Sequence, residues 1–213
     1  MSILDEFDTL FEKERDKFDE LFGKKHKTMS DTSRVFYDSI SGFRRRGWDT
    51  HAEVWNVAFF LNMAAHDVWV LVAQLASEHE PWTRKLAARH LALAALETVE
   101  DMTHLLGKPI RDPLEKLGLL NILDQQLRQA RQPLDSYRQT YTPALKAIRV
   151  ASAAHREHDG VALFELIDKI DIHHIMELGL RLGDIQNQLG PHLQQILDKT
   201  AATPPPEMKR AGE

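Results

Sequence analysis

The 213-residue chain contains no cysteine. Disulfides, thiolate metal sites and cysteine nucleophiles are therefore excluded, and the absence fits a reducing cytosol. Strand signals are also missing: no run alternates apolar and polar residues convincingly, and helical periodicity dominates. There is no excess of positive charge. The formal net charge is −5, which argues against a broad, sequence-independent nucleic-acid surface but leaves room for a local basic patch. The first residues, MSILDEFDTLFEKERDKF, are acidic where a signal peptide is basic and then apolar. What is present is an ordinary globular share of hydrophobic residues, 43%. Over this length that suffices for one good core or two small ones.

One run, residues 52–76, is long enough to span a bilayer. Glu53, Asn56, Asn62, His66, Asp67 and Gln74 interrupt it throughout, and ionisable groups at the middle of lipid are costly. The run reads as the central, almost fully buried helix of a soluble bundle, not as a membrane span.

The apolar spacing predicts a first helix over 3–22. Ser2 caps it, and Phe7, Phe11, Phe18 and Phe22 form a narrow seam on a charged rod. Such a seam packs on the body, on a dimer mate or on another protein. Gly23 is its expected end. Residues 1–23 are thus an amphipathic N-terminal helix, 24–200 a helical bundle, and 201–213, including the proline-rich TPPPEMKRAGE, a disordered tail. Within the bundle, helices are expected over 31–43, from Asp49 or Thr50, from Pro81 to Gly107, and from Pro113 to about residue 131. Another starts at Pro133 or Pro143, where Thr142 is a good cap, and stops at Gly160. Helices over about 161–170 and 172–188 follow, and a last one starts near Pro191. The expected fold class is all-α, a single-domain helical bundle.

The stripe Trp48, Trp55, Phe59, Asn62, His66, Trp69 keeps helical spacing. It reads as core rather than a cofactor box, and Asn62 and His66, if buried, must find hydrogen-bond partners. The stretch ETVEDMTH offers Glu97, Glu100, Asp101 and His104. A di-iron bundle needs Glu-x-x-His on two helices plus two further Glu residues. Here the residue three before His104 is Asp101, and no second such pair follows. His173 and His174 point about 100 degrees apart on a helix. The His-Asp dipeptides at 66–67 and 158–159 lack the further His and Asp of a metal phosphohydrolase. No metal and no cofactor are expected. Arg44, Arg45 and Arg46, between Phe43 and Trp48, are a short basic run that suits RNA phosphates.

The richest stretch is AIRVASAAHREHDG, residues 147–160. Arg149 can fork two hydrogen bonds to a phosphate. His155 titrates near neutrality and can move protons. Arg156, His158 and Asp159 are supporting candidates. Asp159 lies four residues past His155, within reach to orient its ring. Arg149 and His155 are six apart, about 240 degrees on an ideal helix, so a joint role needs a distorted helix end.

An Arg, five intervening residues and Ala-His in a late helix resembles the HEPN family, all-helical proteins of bacterial toxin–antitoxin and anti-phage systems and related RNases. The detectable pattern covers about 20 residues, and RKLAARH, Arg84 to His90, matches the spacing equally well. Active members usually carry a polar residue after the Arg; Val150 stands there. The resemblance implies a cytoplasmic, metal-independent endoribonuclease, working as a homodimer whose two Arg–His pairs face one RNA. It also implies an antitoxin or other protein partner. The alternative is a non-catalytic helical protein-interaction module, favoured by Val150, the acidic balance and the Phe seam.

Overall fold

The phenylalanine seam does not stop at Gly23. Phe18 and Phe22 are followed by Met29, Phe36, Ile40 and Phe43, at steps of three, four or seven. That stripe faces one partner over many turns. A computed structural model describes residues 3–153 and 159–205, and the side chains of 13–149 and 159–205. It has a single helix, α1 (Ile3–Arg45), where two were expected. One glycine costs a helix about 1 kcal/mol relative to alanine. Each large apolar side chain buried by the seam returns roughly 1.5–3 kcal/mol. The seam wins. Its described part packs on the body of the same chain, with Phe22 edge-on to Trp69 at 5.6 Å between centroids.

α1 ends at a left-handed glycine, Gly47, φ 72°. Trp48 N–H donates to the Phe43 carbonyl at 3.0 Å and Gly47 N–H to that of Arg44 at 3.1 Å, which is the Schellman arrangement. The chain turns back as α2 (Asp49–Ser77). Successive cross-pairs run Phe43–Trp48, Phe36–Trp55, Phe22–Trp69, so the two helices are antiparallel. The Trp48–Trp69 stripe is therefore packing surface.

α2 is not the almost fully buried helix that was expected. Glu53, Asn56, Phe60, Met63, Asp67, Val70 and Gln74 face solvent in a regular stripe. The central helix is α3 (Pro81–Leu105), whose Ala87, Ala88, Leu91, Ala92, Ala95, Leu96, Val99 and Met102 are buried. It packs on α2, α4, α5 and α7. Its alanines hide the burial from any reading of bulky residues. α2 is the one described helix apolar and long enough to cross a membrane. It packs on α1, α3, α4 and α7, as a bundle helix does.

The prolines mislead in the same direction. α4 (Lys108–Lys116) contains Pro113 and ends at Gly118, φ 73°. α5 (Leu120–Ala153) runs through both Pro133 and Pro143, and α7 (Ile172–Ala202) through Pro191. None of the four starts a helix. An internal proline removes the N–H that would bond the carbonyl four residues back. For Pro133, Pro143 and Pro191 those carbonyls belong to Gln129, Gln139 and Asn187, all exposed residues that solvent can reach. The buried stripe Leu123, Leu127, Ala130, Leu134, Tyr137 meanwhile holds α5 on the core.

α6 (Gly160–Asp168) is short and starts on an Asp159 cap. α7 approaches α2 and α3 closely because Gly179 and Gly183 present no side chain there. A Cβ on Gly179 would stand 2.9 Å from both Leu91 Cδ2 and Val72 Cγ2, and one on Gly183 2.9 Å from Trp69 Cζ2. Residues 201–205, expected to belong to a disordered tail, are held on the bundle; the rest of that tail, 206–213, lies outside the described residues. His51 Nε2 is 2.8 Å from the Thr203 carbonyl, and Pro205 is buried. Among the described residues there is no strand. The molecule is an all-α bundle.

Candidate functional site

The α5–α6 corner carries the Arg-x5-His stretch. Arg149 lies in the last described turns of α5 and is exposed, with no ion-pair partner among the described residues. His155, Arg156 and His158 lie outside the described residues. Asp159 caps α6: its Oδ1 accepts from Val161 N–H and Ala162 N–H, each at 3.0 Å. That carboxylate was expected to orient His155; half of it is already committed to a helix N-terminus, where a negative group is favoured.

The second copy of the spacing is in a different setting. Arg84 is 7% exposed on the central helix α3, and its side chain has a partner. His90 is exposed. The pair thus straddles core and solvent.

Beside the corner is an apolar surface. Val161 and Phe164 on α6 are 70% and 55% exposed, and Trp82 and Leu86 on α3 are 50% and 41% exposed. Trp82 and Phe164 stack at 6.1 Å with an interplanar angle of 14°. Lys85 pairs with Asp168 next to them. Of α6, only Ile167 is buried.

Arg44, Arg45 and Arg46 are exposed around the α1–α2 turn. Arg46 lies over the Trp48 ring at 5.6 Å, and Arg44 and Arg45 are in the last turn of α1, where the helix dipole favours cations. α1 and α5 do not pack substantially on one another, so within one chain this run and Arg149 are not brought together. Glu97, Glu100, Asp101 and His104 are exposed on α3, and Glu100 is 3.7 Å from Lys146. Among the described residues no group of three or more His, Asp or Glu stands within reach of one metal ion.

A second site was missed because KKHK reads as a loop once Gly23 is taken as a stop. Inside α1, Lys25 faces α2 and α7 and His26 meets α2, while Lys24 and Lys27 are exposed and pair with Glu20 and Asp31 of the same helix. Lys25 occupies a seam position between Phe22 and Met29. Its Nζ is 3.8 Å from the Trp69 ring centroid and 2.6 Å from Asn187 Oδ1. Burial pulls its pKa down to about 8, against the attraction of Asp184. His26 Nδ1 and His66 Nε2 are 2.8 Å apart. Burial, then the neighbouring His26, hold the His66 pKa below its ordinary value, against Asp67. Asn62 donates to the Met29 carbonyl at 3.1 Å and Ser33 Oγ at 2.9 Å. Both polar residues of the α2 stripe have found partners on α1. The signal was there: Lys25 is three residues after Phe22 and four before Met29, the spacing of the seam itself.

Comparison of the chain with known family models, with curated proteins and with solved structures finds no match in any of the three.

Proposed function

We propose that this bundle is a HEPN-like, metal-independent endoribonuclease whose active centre is the α5–α6 corner. The observation that carries the reading is the contrast between its two Arg-x5-His copies. Arg84 is part of the core, whereas Arg149 presents its guanidinium to solvent at the end of a helix. A phosphate can reach only the second.

In this reading the RNA 2′-hydroxyl attacks the adjacent phosphorus as His155 takes its proton. The bond to the 5′-oxygen breaks, that oxygen takes a proton from water, and a 2′,3′-cyclic phosphate is left. Arg149 stabilises the charge developing on the phosphate. The exposed Trp82, Leu86, Val161 and Phe164 form the surface that a second copy covers, bringing two corners to one RNA. Exposed apolar groups of this size clustered on one face suit an interface. Arg44, Arg45 and Arg46 of either copy contribute phosphate contacts.

The test is cleavage of single-stranded RNA by the purified full chain in EDTA, with product ends analysed by mass spectrometry. Cyclic or 3′-phosphate ends are expected, and DNA of the same sequence should resist. His155→Ala and Arg149→Ala should each slow cutting about 100-fold or more, while His90→Ala keeps the full rate. No cutting by the wild type, or full activity of His155→Ala, removes this reading.

A second reading, a non-catalytic module for an antitoxin or other protein partner, has its own support. Asp159 is engaged as a helix cap, and the outer stripe of α2 exposes Phe60, Met63 and Val70.

A further inference from the structure

α1 and α7 both pack on α2 but not substantially on one another. The furrow left between them has a volume of about 470 Å³, within the size range of small-molecule sites. Trp69 of α2 is its floor, and Phe18, Leu21 and Phe22 of α1 and Leu180 of α7 are its walls. Leu21 is 67% exposed, so this apolar wall is open to solvent. The two ends of the furrow differ in kind. Phe18 and Phe22 make one end apolar. Lys24, Lys25 and Thr28, farther along α1, make the other end polar.

Lys24 is engaged by Glu20 of its own helix. Lys25 is not matched in this way. Its ammonium rests on the Trp69 ring and donates to Asn187 Oδ1, two neutral groups. Among the described residues no carboxylate pairs with it, and Asp184 attracts it only from farther off. An ammonium has three N–H donors, so one remains for an incoming acceptor. Asn187 is exposed, which sets this end of the furrow at the water. A half-buried cation without a counter-charge favours an anion, through a charge-assisted hydrogen bond, and the apolar walls beside it favour a hydrocarbon chain. Phe18 and Lys25 are seven residues apart, about 10 Å along the helix axis, the reach of a medium-length alkyl chain. We infer that this furrow binds a medium-chain fatty acid, its carboxylate on Lys25 and its tail between Phe18, Leu21 and Phe22 on one side and Leu180 on the other. The furrow is built from α1, α2 and α7, not from the α5–α6 corner, so the inference stands or falls apart from RNA cleavage.

Isothermal titration of the full chain at pH 7 with decanoate, below its micelle concentration, tests it. Two controls divide the ligand: 1-decanol has the chain without the charge, and butanoate the charge without the chain. The expected result is one decanoate site per chain, with decanol and butanoate each bound at least tenfold more weakly. Octanoate, two methylenes shorter, should bind about tenfold more weakly than decanoate. Lys25→Met should remove the preference for decanoate over decanol. Leu21→Glu, a charge placed on an exposed wall residue, should weaken decanoate at least tenfold with an unchanged helical circular dichroism signal. Absence of decanoate binding, the outcome if a second copy or another helix fills the furrow, overturns the proposal. So does equal binding of decanoate and decanol by the wild type, or full decanoate affinity in Lys25→Met or Leu21→Glu. The ligand comparison on the wild type decides it even where a variant does not fold.

Discussion

Lys25 Nζ lies 3.8 Å from the centre of the Trp69 ring, with its ammonium also on Asn187 Oδ1 at 2.6 Å. A cation stands where the α1 seam otherwise has Phe22 and Met29. The indole face and the amide compensate part of its desolvation, but only part, since its pKa falls to about 8.

A folded-state pKa below the unfolded one means that the folded protein resists the proton. Stability is fully present above the unfolded value of 10.5 and is lost as pH falls through about 8. At neutral pH the charge is therefore carried at a cost. Lys25→Met should raise stability by about 1 kcal/mol at pH 7, a figure reduced for a side chain that is half in solvent. The gain should shrink between pH 8 and pH 10. Urea unfolding at the two pH values measures it; a less stable Met variant at pH 7 would show that the Trp69 and Asn187 contacts outweigh burial.

The His26–His66 contact tests the same logic with the opposite helix. One ring must offer a bare nitrogen for the 2.8 Å contact, and protonating both removes it. The His66 pKa is lowered, so the contribution is complete above its unfolded value, 6.5, and is lost as pH falls below that. Hydrogen exchange at pH 7.5 and 5.5, corrected for intrinsic rates, should show loosened protection of α1 around residue 26 at the lower pH. His66→Gln should remove this dependence. The stability change itself should not exceed about 1 kcal/mol, because both rings are largely wet.

Gly179 and Gly23 both lie inside helices but in different surroundings. A side chain on Gly179 meets Leu91 and Val72 at 2.9 Å, while one on Gly23 meets nothing within 4 Å beyond its own helix backbone and chain neighbours. Gly179→Val should cost on the order of 1–3 kcal/mol or more by overpacking. Gly23→Ala should add about 0.5–1 kcal/mol through helix propensity. Thermal melts of the two variants should move in opposite directions; a shared direction would mean that α7 does not approach α3 as described.

The apolar surface on α3 and α6 sets the expected oligomer. Val161→Ser with Phe164→Ser should lower the mass measured by light scattering from dimer to monomer, with helix content unchanged. Both side chains are more than half exposed, so the fold loses little. A monomeric wild type, or a double variant of unchanged mass, would leave the surface without that role.

The helical class was legible because it rests on local periodicity and on what the chain lacks. So were α2, with its clean apolar repeat, and the α3 start at Pro81. Helix ends were less legible. Gly23, Pro133, Pro143 and Pro191 each carry a local penalty that a sequence scan reads as a stop. Whether a helix breaks depends on the sum of that penalty and the burial gained on both sides, and burial is a property of neighbours far along the chain. The α1 seam and the Leu123–Tyr137 stripe supplied it. The same holds for the sites. Arg149 and His155 were identifiable by residue type and spacing, but the twin pair Arg84 and His90 had the same spacing; only packing put Arg84 in the core and left Arg149 in solvent. Lys25 meets Asn187, 162 positions along the chain, and His26 meets His66, 40 positions along. Side-chain chemistry is written in the sequence, whereas desolvation and proximity are made by the helices closing on one another.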